Sequence, residues 1–89
     1  MLTKSHIITA IYDIKAEKYS HPNLARSTGD FIRSVQVEAK NTQSMLNKFP
    51  SDYELHVIGE WSEDFAIIPE TEATFPKRLG SVLDLCPLS

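Results

Sequence analysis

Apolar and polar positions alternate most regularly in FPSDYELHVIGEWSEDFAII, from Phe49 to Ile68. Tyr53, Leu55, Val57 and Trp61 fall on alternate positions, and Gly59 interrupts the series. A period of two is that of a strand with one buried face. Glu54, His56 and Glu60 are expected on the opposite face, where Ile58 is an apolar oddity that a partner would explain. Ser62-Glu63-Asp64 reads as a tight polar turn. The pattern predicts a hairpin with strands from Asp52 to Trp61 and from about Asp64 to Ile68, ended by Pro69. Gly59 inside the first strand marks a bulge or a close backbone approach.

His6 to Ile14 (HIITAIYDI) is rich in residues that suit a pleated surface. Ile7, Thr9 and Ile11 share one face, and Ile8, Ala10, Tyr12 and Ile14 the other. A strand apolar on both faces is central or covered on both sides. Tyr19 to Leu24 predicts a short strand that lies at an edge or breaks at Pro22, which has no N–H to donate.

Ser27-Thr28-Gly29-Asp30 is a helix start, with a hydroxyl for the N-cap and an acid in the first turn. At 100° per residue Phe31, Ile32, Val35, Ala39, Leu46 and Phe49 form one apolar arc. Val37 lies off it and is expected to be exposed. The run Asn41 to Ser44 is poor in helix formers, so the helix should end near Asn41. Pro50 forbids continuation past Phe49. Residues 70–89 read as a weakly structured tail, with a weak helix from Lys77 to Leu85 that Gly80 undermines.

The order is strand, short strand, helix, hairpin, tail. It predicts a two-layer α+β domain, a small and mostly antiparallel sheet with one main helix packed on one face. With 89 residues the chain reads as one domain, 1–89, of marginal stability; homodimerisation would bury more surface.

Composition narrows the setting. A lone cysteine, Cys86, cannot build an intrachain disulfide framework and points to a reducing compartment. No stretch approaches the roughly 20 apolar residues of a membrane span, and the N-terminus lacks the apolar run of a signal peptide. Net charge is −3. It is divided unevenly: residues 1–48 hold seven Lys/Arg against four Asp/Glu, and residues 49–89 two against eight. A basic face beside an acidic one would give this division, and so would chance.

Enzyme signals are thin. Phosphate-loop, dinucleotide, C-x-x-C and H-E-x-x-H motifs are missing. His56 with Glu54 or Glu60 would suit acid–base work, but alternating polar residues on a half-buried strand account for them more simply. Glu60, Glu63 and Asp64 read as a solvated turn rather than a cation loop. The chain is therefore expected to be non-enzymatic and free of metal and cofactor.

The constellation that points to a ligand is aromatic and basic. Tyr12, Lys15, Lys18, Tyr19, His21 and Arg26 crowd the first strands, and Arg33 and Lys40 share the polar helix face. Aromatics stack on unpaired bases and cations follow phosphates, so single-stranded DNA is a candidate ligand. Lys15, Lys18, Tyr19, Arg26, Arg33 and Lys40 are the candidate contacts. The alternative is that the tyrosines serve core or edge and the lysines solubility, and spacing leaves both open.

AIYDIKAEKY (Ala10 to Tyr19), TGDFIRSV (Thr28 to Val35) and FPSDYELHVIGEW (Phe49 to Trp61) resemble, in this order, the small nonstructural protein of gokushovirus-type microviruses, single-stranded DNA phages of bacteria. The matching positions are Ile11-Tyr12-Asp13, Lys15-Ala16, Gly29-Asp30 with Arg33, and Pro50, Asp52-Tyr53, Leu55 and Ile58-Gly59. The resemblance covers about residues 6–70. It departs at Ser62 to Phe65, where the family often has a D-x-x-T-G turn. It implies a DNA-binding protein of the host cytoplasm, absent from the virion. Members are likened to the C protein of phiX-type phages, which acts in the switch to single-strand synthesis and packaging. Phage or host replication and packaging proteins are then the expected partners. The rival expectation is a dimeric interaction module that engages a host or phage protein through strand edges or through Val37 and Trp61.

Overall fold

The computed structural model describes residues 5–69, 71 and 73–86. Its described elements are strands β1 (His6–Asp13), β2 (Lys18–Tyr19) and β3 (Asn23–Ala25), helices α1 (Thr28–Ala39) and α2 (Met45–Lys48), strands β4 (Tyr53–Ser62), β5 (Ala66–Ile67) and β6 (Lys77–Ser81), and helix α3 (Val82–Leu85). A 3-10 turn, Pro50–Asp52, leads into β4. All strand pairs are antiparallel. The fold is α+β, with one main helix.

Long β1 and β4 run side by side at the centre, paired from His6↔Trp61 to Asp13↔Tyr53. Each outer edge is divided between two short strands. β2 and β3 flank β1, and β6 and β5 flank β4. The expected strand from Tyr19 to Leu24 is thus two strands, and Pro22 lies in the break. Ser20 closes the gap: its N–H donates to the Ile11 carbonyl at 2.8 Å, and its Oγ accepts from the Ile11 N–H at 2.9 Å. Short, interrupted edges leave little unpaired backbone to recruit another strand.

A bulge sets the character of β4. Gly59 pairs with Ile8 and Val57 with Thr9, so Ile58 has no partner on β1. One extra residue moves every later side chain to the other face. Leu55 and Val57 therefore lie on one face and Trp61 on the opposite one, although all three share a sequence parity. Glu60, expected beside Glu54 and His56, lies across from them for the same reason. The oddity of Ile58 is resolved by the bulge and needs no partner.

All three helices cover one sheet face. Phe31, Val35 and Ala39 project from α1 at four-residue intervals into a core with Leu55, Val82 and Cys86. Ile11, Tyr53 and Leu46 pack around it. Ser27 caps α1, its hydroxyl accepting from the Asp30 N–H at 3.1 Å. The helix ends at Ala39, because Asn41 accepts from the Gln43 N–H at 2.9 Å and Ser44 caps α2. This turn breaks the helical period, which is why Phe49 is 48% exposed rather than on the arc. Val37 is exposed, as expected.

The tail differs most from its pattern. Residues 77–81 form β6, not helix, and only 82–85 are helical. Gly80, which weakens a helix, here occupies φ +151° opposite Leu55. A Cβ at Gly80 would come within 3.1 Å of the Leu85 side chain. Val82 and Cys86 are fully buried, and Gln36 of α1 donates to the Leu85 carbonyl at 3.0 Å. The tail thus completes the core over α1. Burial pushes the Cys86 thiol pKa up, as an inert core thiol requires. Residues 70, 72 and 87–89 of the expected tail lie outside the described residues.

Candidate nucleic-acid interface

The sheet face away from the helices carries even-numbered β1 residues and their partners. Side chains of directly paired residues share a face. At one end Tyr12 pairs with Tyr19 and Glu54, and Ala10 with His56. His56 in turn pairs with Arg78 on β6. At the other end His6 pairs with Trp61, Trp61 with Ile67, and Ile8 with both Gly59 and Leu24.

The first end is a closed ring cluster. Tyr12 stacks on His56 with centroids 5.2 Å apart and planes 18° from parallel. Tyr19 is tilted against Tyr12 at 4.8 Å and meets His56 edge-on at 5.3 Å. The Tyr19 hydroxyl lies 2.8 Å from His56 Nδ1, and His56 Nε2 lies 3.2 Å from Glu54 Oε1. Both contacts are satisfied when the imidazole carries its proton on Nε2: Tyr19 donates to Nδ1, and Nε2 donates to Glu54. The other Glu54 oxygen accepts from Arg78 Nε. The Arg78 guanidinium, helped by His56, holds the Glu54 carboxyl below the usual carboxylate range. His56 is buried, whereas Tyr19 is 43% exposed.

The second end is more apolar. His6 meets Trp61 edge-on at 5.6 Å. Leu24 and Ile67 are exposed beside them. Between the two ends the central strands present Ala10 and Ile8, whose side chain lies against Gly59.

The six sequence candidates are all exposed. Lys15 lies in the β1–β2 turn, with Lys18 and Tyr19 on β2 beyond it. Arg26 follows β3 at the approach to α1. Arg33 lies on α1 and Lys40 caps it, on the helix side of the sheet. Lys15, Lys18 and Tyr19 are thus brought together at one end of the sheet, Tyr19 on the helix-free face and Lys18, paired with Asp13, on the other, while Arg33 and Lys40 lie on the layer that covers that other face.

The sequence reading missed how His56 is held. Alternation placed it with Glu54, but Tyr19 is 37 positions away and Arg78 lies in a segment read as weak helix. Only the pairing of β1 with β2, and of β4 with β6, assembles the four. Trp61 was named only as a contact of the rival interaction module, and its face was misassigned to that of Leu55 and Val57, because a bulge does not show in alternation. The glycine in the strand was the available signal.

A sequence-family description, Phage ORF5 protein, matches residues 6–85. The chain belongs to this family. The match runs from the first residue of β1 to the last of α3, so the family's unit includes the closing β6–α3 segment. Comparison of the chain with curated proteins finds no match, and comparison with solved structures finds none.

Proposed function

We propose that this phage protein is a non-enzymatic accessory factor of gokushovirus-type microviruses. It binds single-stranded DNA, or the replication complex that carries it, in the host cytoplasm during genome synthesis and packaging. The observation that supports this most is the helix-free sheet face, with Tyr12, Tyr19, Trp61 and Arg78 on one surface. Antiparallel sheets with open aromatic faces stack unpaired bases, and each stacked base contributes about 1–3 kcal/mol. Duplex DNA offers no free base faces to such a surface. The non-enzymatic reading is supported by His56, which is buried and engaged at both ring nitrogens.

The test is fluorescence anisotropy of labelled single-stranded and duplex DNA at two salt concentrations. The single strand should bind more tightly, with affinity falling as salt rises. Replacing Lys15 and Lys18 together by alanine should flatten that salt dependence. Salt-insensitive binding, or none at low salt, would overturn the proposal.

A second reading, a homodimer that engages a phage or host protein, is favoured by one observation. Leu24 and Ile67, on the same face, are 48% and 65% exposed. Gel filtration over a concentration series tests it, and a monomer at all concentrations would remove the dimer.

A further inference from the structure

The helix-free face does not present its aromatics as one continuous stripe. Tyr12 and Tyr19 gather at one end of the central strands, and Trp61 with His6 at the other. Between them lie Ala10, which is buried, and Ile8, which pairs with Gly59 and Leu24. The strands themselves fix the separation. Tyr12 and His6 are the two ends of one face of β1, six residue steps apart, which at about 3.3 Å per residue is roughly 20 Å.

We infer that this face holds a single strand at two separate base-stacking stations, one built on Tyr19 with Tyr12 and one on Trp61, the strand running along β1 and β4 between them. This rests on the single-stranded DNA reading and adds its path, length and anchoring residues. A strand stacked at ~3.4 Å per nucleotide needs about six nucleotides to span the gap, and one splayed onto the protein needs fewer; single-strand sites begin at about four. The footprint is therefore about four to six nucleotides.

Pre-ordering favours the two stations. The Tyr19 ring is fixed through its hydroxyl on His56 and its contact with Tyr12, while 43% of the residue stays open to solvent. Trp61 is fixed by the edge contact with His6 and by strands on both sides. Rings held this way lose little freedom when a base stacks on them. Between the stations the Ile8 side chain lies against Gly59, where a Cβ would come within 3.2 Å of it, and a strand that crosses the gap passes over Ile8. Phosphates would run past Arg78, whose side chain is 54% exposed while it holds Glu54.

Trp61 is the only tryptophan in the chain, so its fluorescence reports one station directly. The experiment titrates the full chain with oligothymidylates of about two, four, six and eight nucleotides, lengths that bracket the shortest known site sizes. Affinity should rise steeply up to the four-to-six range and then level, with Trp61 quenched by every oligomer that spans the gap. With the longest oligomer, Tyr19→Ala and Trp61→Phe should each weaken binding, Tyr19→Ala by about 5- to 150-fold. Tyr19→Phe keeps the ring but loses the His56 contact, and should bind within a few-fold of the native chain. Circular dichroism of each variant confirms that it folds. Binding with Trp61 unquenched and Tyr19→Ala without effect would overturn the two stations while leaving a DNA-binding protein. Failure of all lengths to bind at low salt would remove the underlying reading with them.

Discussion

Each ring nitrogen of His56 has a partner, and the chain of contacts runs from Tyr19 through His56 and Glu54 to Arg78. This arrangement fixes the strand position as a structural joint as much as a surface. Three of the four groups come from different strands, so the joint ties β2, β4 and β6 together across the sheet. Its electrostatics have a pH signature. The folded Glu54 pKa lies below its ordinary value of 4.5, chiefly through Arg78. A depressed carboxylate stabilises the fold fully above the ordinary value, and that contribution is lost as pH falls through the folded one. Glu54→Gln should therefore lower stability at neutral pH by about 1 kcal/mol, since it removes charge-assisted hydrogen bonds that are partly exposed at Arg78. Below pH 4.5 the native chain should lose stability more steeply than the variant. Urea denaturation at a series of pH values measures both, and parallel pH profiles would contradict the assignment.

At the scale of elements, local chemistry was legible where one segment decides the outcome. Ser27 and Asp30 announced the start of α1, and Phe31, Val35 and Ala39 its buried face. Pro22 announced a break, and Gly59 an irregularity in β4. Outcomes that depend on two distant segments were hidden. Lys77 to Leu85 has too little pattern to be recognised as strand and helical turn, because β6 is specified by its pairing with β4 and by the space at Gly80. The position of Trp61 was hidden for a related reason. Alternation gives a residue's face only while the register is regular, and Ile58 shifts it. This makes the bulge the element to perturb. Deleting Ile58 would place the Gly59↔Ile8 pair directly after Val57↔Thr9, a regular register that leaves Trp61 opposite His6 on its native face. The expected result is a native Trp61 emission, with a stability change of no more than the ~1 kcal/mol of a typical substitution. Thermal unfolding followed by that fluorescence checks it. A deletion variant with a red-shifted Trp61 emission would mean that Ile58 is not the residue that shifts the register.

On the scale of the whole molecule, the fold divides its labour between two faces. One face is spent on the core, where α1, α2 and the closing segment at Val82 and Cys86 all meet Leu55. The other is left with partly exposed rings and two exposed aliphatics, which a small domain does not keep uncovered without consequence. The uneven charge along the sequence is kept in the sheet, because β1, β2 and β3 of the basic half form one side and β4, β5 and β6 of the acidic half the other. Glu54 of the acidic half is matched by Arg78 of that same half, so the helix-free face is less acidic than the net charge of −3 suggests.

The most direct test is to record backbone and tryptophan side-chain amide signals of isotope-labelled protein by NMR while adding a short oligothymidylate. The signals expected to move are those of Tyr12, Tyr19, His56 and the Trp61 indole, with α1 left in place. Shifts concentrated at Arg33 and Lys40 on α1, with the helix-free face unmoved, would contradict binding at that face.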